Sequence, residues 1–130
     1  MCNRRGQAFH PDDLELVVAE QRLMKQPPFV LDEAGRAVVG QAIRDHCEVR
    51  GWGIHALNVR TNHVHVVVAC QPRYRPERVV AEFKSWGTRR LRAGGLIDAD
   101  RRVWTDHGST RWINTEEGLF EAYDYVMNRQ

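Results

Sequence analysis

Two histidines two positions apart, His63 and His65, lie in the run Asn62-His-Val-His-Val-Val-Val-Ala-Cys70. In an extended strand residues i and i+2 share a face, so both imidazoles project to one side while Val64 and Val66 point to the other. Two imidazoles and a further oxygen donor can hold a divalent ion, which can polarise a phosphoryl oxygen or orient a scissile phosphate. The plain alternative is a pair of half-exposed strand residues on a sheet's polar face, although a strongly apolar strand has little reason to carry two titratable rings at one end. A second chemical group stands in Glu121-Ala-Tyr-Asp-Tyr-Val-Met-Asn-Arg-Gln130. At 100° per residue Tyr123 falls with Leu119, Phe120, Val126 and Met127 in an expected buried stripe, whereas Tyr125 lies opposite, with Asn128 and Arg129 as helical neighbours. A phenol with a pKa near 10 is a poor nucleophile at neutral pH unless a cation favours its ionised form, and Arg129 or a bound ion could do so. Without such help Tyr125 is an ordinary exposed helix residue. Between these groups, Arg73 to Arg92 holds seven basic residues against two acids, Glu77 and Glu82, a local net of +5 in a chain whose total is +2. Such a block is either a solvated helix face or a phosphate-binding surface.

These groups need elements to position them. Pro11-Asp12-Asp13 reads as a helix start, with Leu14, Val17, Val18 and Gln21 on one face, ended by Gln26-Pro27-Pro28. Asp32 is an N-cap for a helix to about Arg50, with Val38, Val39, Ala42, Ile43, His46 and Cys47 as its buried stripe and Gly51 as its stop. Trp52–Arg60 and Asn62–Cys70 then carry a period of two and make an antiparallel hairpin. Pro76 opens a basic helix to about Arg92 whose apolar side is Val79, Val80, Phe83, Trp86 and Leu91. Residues 102–113 hold another strand or short hairpin around Asp106-His107-Gly108-Ser109. Asn114-Thr-Glu-Glu117 has capping-box spacing before a last helix from about Thr115. The order helix, helix, strand, strand, helix, strand, helix, with strands too tightly joined for crossovers, makes an α+β fold: an antiparallel sheet with helices packed on it.

The 130 residues make one domain, 1–130, whose first ten polar residues are expected to fray. With 42% hydrophobic and 28% charged residues, wholesale disorder and fibrous repeats are excluded. No apolar run reaches the roughly 18–20 residues of a membrane span, and Met1-Cys2-Asn3-Arg4-Arg5-Gly6 lacks a signal peptide's apolar stretch, so a soluble, cytoplasmic protein is expected. Cys2, Cys47 and Cys70 have no C-x-x-C spacing and are expected to be reduced.

Taken in this order, Asn62-His63-Val64-His65-Val66-Val67, the basic helix Phe83-Lys84-Ser-Trp-Gly-Thr-Arg-Arg-Leu-Arg92, Trp104 to Ile113 and the late Tyr125-Val126 resemble the HUH-family single-tyrosine transposases, the insertion-sequence and REP-associated group. The resemblance spans about residues 28 to 130. It implies a ferredoxin-like HUH nuclease architecture and a DNA transposase: a metal-dependent endonuclease and strand transferase on single-stranded or hairpin DNA. On that resemblance His63 and His65 hold Mg2+ or Mn2+, and Tyr125 attacks phosphorus to leave a 3′-OH and a 5′-phosphotyrosine link. Lys84, Arg89, Arg90, Arg92 and Arg111 contact DNA, the first three bordering the reacting phosphate; Trp86, Trp104 and Trp112 either stack on bases or fill the core. A homodimer in the cytoplasm, associated with the nucleoid, is implied as well.

The chain departs from the family pattern in two places. The family usually completes the metal site with Gln or Asn four residues after the tyrosine, but that position is Arg129, leaving Asn128 or Gln130, of which helical geometry favours Asn128. Residues 1 to 13 supply no convincing strand, which leaves open a sheet short of its N-terminal strand. A noncatalytic or domesticated nucleic-acid-binding protein derived from such a transposase is the alternative function. A small hydrolytic metalloenzyme using His63, His65 and Asp106 or His107 is a third.

Overall fold

The computed structural model describes residues 15–23, 31–98, 101–113 and 115–128, without the side chains of Asp106 and His107. The expected helix start at Pro11, the Pro27-Pro28 stop, the Asn114 cap, Arg129 and Gln130 lie outside the described residues. The elements are β1 (Glu15–Leu23), α1 (Glu33–Arg50), β2 (Gly53–Val59), β3 (His63–Cys70), α2 (Pro76–Ala93), β4 (Trp104–Ile113) and α3 (Glu116–Asn128).

The expected first helix is a strand. In β1, Val17, Ala19, Gln21 and Leu23 are buried on one face while Leu16 and Val18 pack on the other. Because helices cover both faces of the sheet, the strand is apolar on both sides, and a near-continuous apolar run also satisfies helical spacing. The N-terminal strand that the sequence reading left unaccounted for is therefore present. It is central, pairing antiparallel with β3 on one side and β4 on the other, in the order β2-β3-β1-β4. With α1 and α2 on one face, this is the ferredoxin-like βαββαβ arrangement, and α3 is added on the opposite face.

The expected boundaries of α1 hold. The Asp32 carboxylate accepts the Gly35 N–H at 2.7 Å, closing the first turn, and Gly51 ends the helix with φ 75°, a conformation that costs a residue without Cβ little. The larger core lies between the sheet and the helices α1 and α2, around Val39, Ile43, Val66, Val68, Val79 and Leu91. There Glu82 of α2 receives His46 at 2.6 Å and Arg50 at 3.0 Å from α1, and Arg78 at 2.8 Å from its own helix. Burial raises the Glu82 pKa, but the hydrogen bonds from His46, Arg78 and Arg50 outweigh it and hold the carboxyl below its ordinary value. Trp104 belongs to this core, where its indole N–H reaches the Thr88 hydroxyl and the Lys84 carbonyl; Trp112 packs partly buried against it. No helix is long and apolar enough to cross a membrane among the described residues.

Candidate functional site

The smaller core, on the α3 face, consists of Ala56, Val67, Ile113, Ala122 and Val126, with Leu16, Val18 and Leu119 packed against it. Beside it the sheet carries a transverse polar row. His65 of β3 stands opposite Glu20 of β1 and Asn58 of β2, and Glu20 in turn stands opposite Ser109 of β4. Asn58 owes its place to an irregularity: the register shifts between Ile54 and Ala56, leaving His55 as an extra residue. Ile54, Leu57 and Val59 consequently face the α1–α2 core, while Ala56 and Asn58 turn to α3.

The α3 helix places its tyrosine over this row. The Thr115 hydroxyl accepts the Gly118 N–H at 2.9 Å and caps the first turn. At the other end, the Asn58 side-chain amide donates to the Val126 carbonyl in the last turn of the helix at 2.9 Å. The Tyr125 ring then lies 5.5 Å from that of His65, and the His65 ring 4.7 Å from that of His63. All three belong to one chain, and the sequence-predicted tyrosine and histidines are brought together within it.

The expected stripe of α3 is corrected. Ala122 and Val126 are buried, whereas Phe120, Tyr123 and Met127 are exposed, as is Tyr125 at 50%. The helix meets the sheet over a narrow stripe of small side chains, and the bulky ones flank it. Tyr125 is therefore at the rim of the contact, half exposed, with its ring beside that of His65.

His63 and His65 sit in different surroundings. His63 Nδ1 is hydrogen-bonded to the Asn62 amide oxygen at 2.6 Å. His65 is 3% exposed, with Nδ1 buried, and its Nε2 is bonded to the Glu20 carboxylate. Glu20 also faces Arg22, at 3.8 Å. Sequence reasoning missed Glu20 because it treated β1 as a helix. The available signal was a lone acid in Leu16-Val-Val-Ala-Glu20, a strand run in which a charge needs a partner. Among the described residues no three His, Cys, Asp or Glu side chains are gathered around one point. Glu20 is bonded to His65, whose ring stands beside that of His63. As a donor set, two imidazoles and a carboxylate suit a divalent ion such as Mn2+.

The other predicted site residues are spread over both faces. Asn128 is on α3, bonded to Asp124 at 3.1 Å. Arg111 pairs with Val18 and shares the α3 face by strand alternation. Lys84, Arg89, Arg90 and Arg92 belong to α2, across the sheet from Tyr125. Of these, Arg90 is paired with Asp45 at 2.9 Å, and Arg89 lies over the Trp86 ring. Lys84 lines a cleft of about 310 Å³ that two members of the polar row, Glu20 and Ser109, also line, but His65, Asn58 and Tyr125 do not.

Two solved structures share this architecture. A REP-associated tyrosine transposase bound to a REP hairpin superposes with a TM-score of 0.68 at 16% identity, over 97% of this chain and 70% of that one. A transposase candidate from Deinococcus radiodurans R1 does so with a TM-score of 0.65 at 18% identity, over 100% and 98%. No curated protein matches by sequence. The fold is thus one that transposases use. Residues 23–114 match the profile of the IS200-like transposases, and the chain belongs to that family. The matched span contains His63 and His65; Glu20 lies before it and Tyr125 after it.

Proposed function

We propose that this protein is a DNA transposase that cuts and rejoins single-stranded or hairpin DNA through Tyr125, with His63 and His65 holding Mg2+ or Mn2+. The observation that carries the reading is the 5.5 Å approach of the Tyr125 ring to His65, beside His63 and on the same face of the sheet. When bound, the ion would polarise the scissile phosphate and favour charge on the attacking phenol. Asn128, and Gln130 beyond it, are candidate oxygen donors from the end of the last helix. The Tyr125 oxygen bonds to phosphorus as the bond to the 3′ oxygen breaks, leaving a 3′-OH and a 5′-phosphotyrosine; attack by another 3′-OH reverses the step and joins strands. The exposed edge of Tyr125 suits a backbone approaching from solvent. Arg111 on the same face and Lys84 in the cleft are placed to meet phosphates, whereas Arg89, Arg90 and Arg92 would meet DNA only where it wraps to the α2 face. The reading includes a homodimer, for which exposed Phe120, Tyr123 and Met127 offer apolar surface, and a cytoplasmic, nucleoid-associated location.

The test is incubation with hairpin-bearing single-stranded DNA and Mn2+, followed by denaturing electrophoresis and peptide mapping. A covalent adduct on Tyr125 is expected, absent with chelator, in Tyr125→Phe and in the His63→Ala/His65→Ala double variant. An adduct that persists in Tyr125→Phe refutes the assignment. Hairpin binding with no cleavage in Mn2+ selects the noncatalytic derivative instead.

A further inference from the structure

We propose that the cleft between α2 and the edge strand β4 seats one unpaired adenine or cytosine nucleotide of the DNA, an assignment that rests on the DNA-binding part of the reading above and needs neither the ion nor Tyr125. The helix side of the cleft is Glu77, Val80, Ala81 and Lys84, which the spacing i, i+3, i+4, i+7 puts on one face of α2. Gly108, Ser109 and Thr110 of β4 line the other side. Small residues keep it open: Ala81 is exposed, and the buried Gln21 amide occupies space that a Cβ on Gly108 would take. Because β4 is the last strand of its sheet, alternate backbone groups on its outer edge have no strand partner. Both ends are pinned. The Thr110 hydroxyl donates to the Glu77 carboxylate at 3.2 Å, and the Trp104 indole N–H donates to the Lys84 carbonyl at 3.1 Å. The cleft is thus preformed, and its volume of about 310 Å³ is at the small end of the roughly 300–1,000 Å³ of small-molecule sites.

The chemistry of the lining selects the occupant. Lys84 takes part in none of the ion pairs among the described residues, which leaves its ammonium for a phosphate. Glu77 is two helical turns away, about 10 Å at 1.5 Å per residue, with apolar Val80 and Ala81 between the two charges. A nucleotide carries the complementary order: an anion at one end, an apolar ring face, and at the far edge of adenine or cytosine an exocyclic amine that a carboxylate accepts. Thymine presents a carbonyl oxygen there and meets Glu77 with repulsion. Glu20 and Ser109 of the polar row line the cleft while His65 and Tyr125 do not, so the nucleotide seated here is a neighbour of the cleaved one.

The experiment measures binding of a hairpin oligonucleotide with single-stranded flanks by fluorescence anisotropy in EDTA. Each unpaired position is replaced in turn by an abasic site and by each base. For the wild type, a position is expected at which base removal weakens binding about tenfold, and at which adenine or cytosine binds better than thymine. Ala81→Phe, which fills the cleft, is expected to bind the intact oligonucleotide as weakly as wild type binds the abasic one, with no further loss at that position. Glu77→Gln keeps an oxygen for the Thr110 hydroxyl and adds a donor for thymine, so it should lose the preference for an amine while keeping the abasic penalty; it reports even if Ala81→Phe folds poorly. An abasic penalty absent at every position, or unchanged in Ala81→Phe, overturns the assignment. So does thymine binding as well as adenine and cytosine in the wild type, or an unaltered base preference in Glu77→Gln. The Tyr125 adduct, assayed on the same oligonucleotides in Mn2+, keeps the two readings apart: an adduct without base dependence sinks the pocket alone, and base dependence without an adduct sinks the cleavage reading alone. A wild type that binds no DNA overturns both.

Discussion

Replacing Asn58 by alanine should loosen the tyrosine helix and nothing else. Asn58 is the strand residue that reaches across to α3, and its amide satisfies the Val126 carbonyl at 2.9 Å, one residue from Tyr125. Beside it the helix is held by the buried side chains of Ala122 and Val126, with partly buried Leu119, and by the Tyr125 ring against His65. A single intramolecular hydrogen bond contributes about 1 kcal/mol net, which corresponds to roughly a fivefold change in a two-state population. Amide hydrogen exchange from Phe120 to Met127 should accelerate by about that factor, while amides of β1 and β3 keep their wild-type protection. Asn58→Asp should do more, since it cannot donate and sets a negative charge against the negative end of the helix. Unchanged exchange in α3, or equal acceleration in β1 and β3, would refute the tether.

The Glu82 carboxyl is held below its ordinary value in the folded state. Its contribution to stability is therefore fully present above about pH 4.5 and is lost as pH falls through the lower folded value; Glu82→Gln should flatten the fall in urea midpoint over that range, and an unchanged slope refutes it. Burial, reinforced by the neighbouring Cys70, pushes the Cys47 thiol up to about 12, and burial followed by Glu15 pushes Cys70 up to about 11. Neither should react with iodoacetamide at pH 8 until urea is added, and native labelling of either peptide contradicts this. A Cβ at Gly108 would lie 2.6 Å from Gln21 Oε1 and 2.8 Å from the Glu20 carbonyl. Gly108→Ala should cost about 1–3 kcal/mol and lower the melting temperature, whereas Gly53→Ala, with nothing within 4 Å, relieves no contact and creates none; equal melting of the two variants would be fatal to the packing argument.

Much of this fold is legible where side chains speak for one residue range alone. Asp32, Gly51 and Pro76 punctuate α1 and α2 because each does something its neighbours cannot: accept the Gly35 N–H, adopt positive φ, or open a helix without an N–H. The hairpin and its two histidines are legible from strand alternation. The first strand was not, because a run apolar on both faces satisfies two periods at once, and the cost of misreading it was Glu20. The α3 stripe misled for a different reason: size was taken for burial, yet Ala122 and Val126 let the helix approach while Phe120 and Tyr123 stand outside. Nor does alternation reveal the extra residue at His55, on which the orientation of Asn58 depends, since a bulge is a property of the pairing and not of one strand.

The polar row draws one member from each of four strands, and for Glu20, His65 and Asn58 the residues beside them along the strand face the opposite layer. Chemistry and folding are thereby written on alternate letters of the same words: Ala19 and Gln21 flank Glu20, Val64 and Val66 flank His65, and Leu57 and Val59 flank Asn58. A lineage can exchange any member of the row for another polar type without disturbing a single methyl group of the main core. A one-residue slip of any strand, by contrast, erases the constellation and the hydrophobic layer together, because it turns every side chain of that strand to the other face.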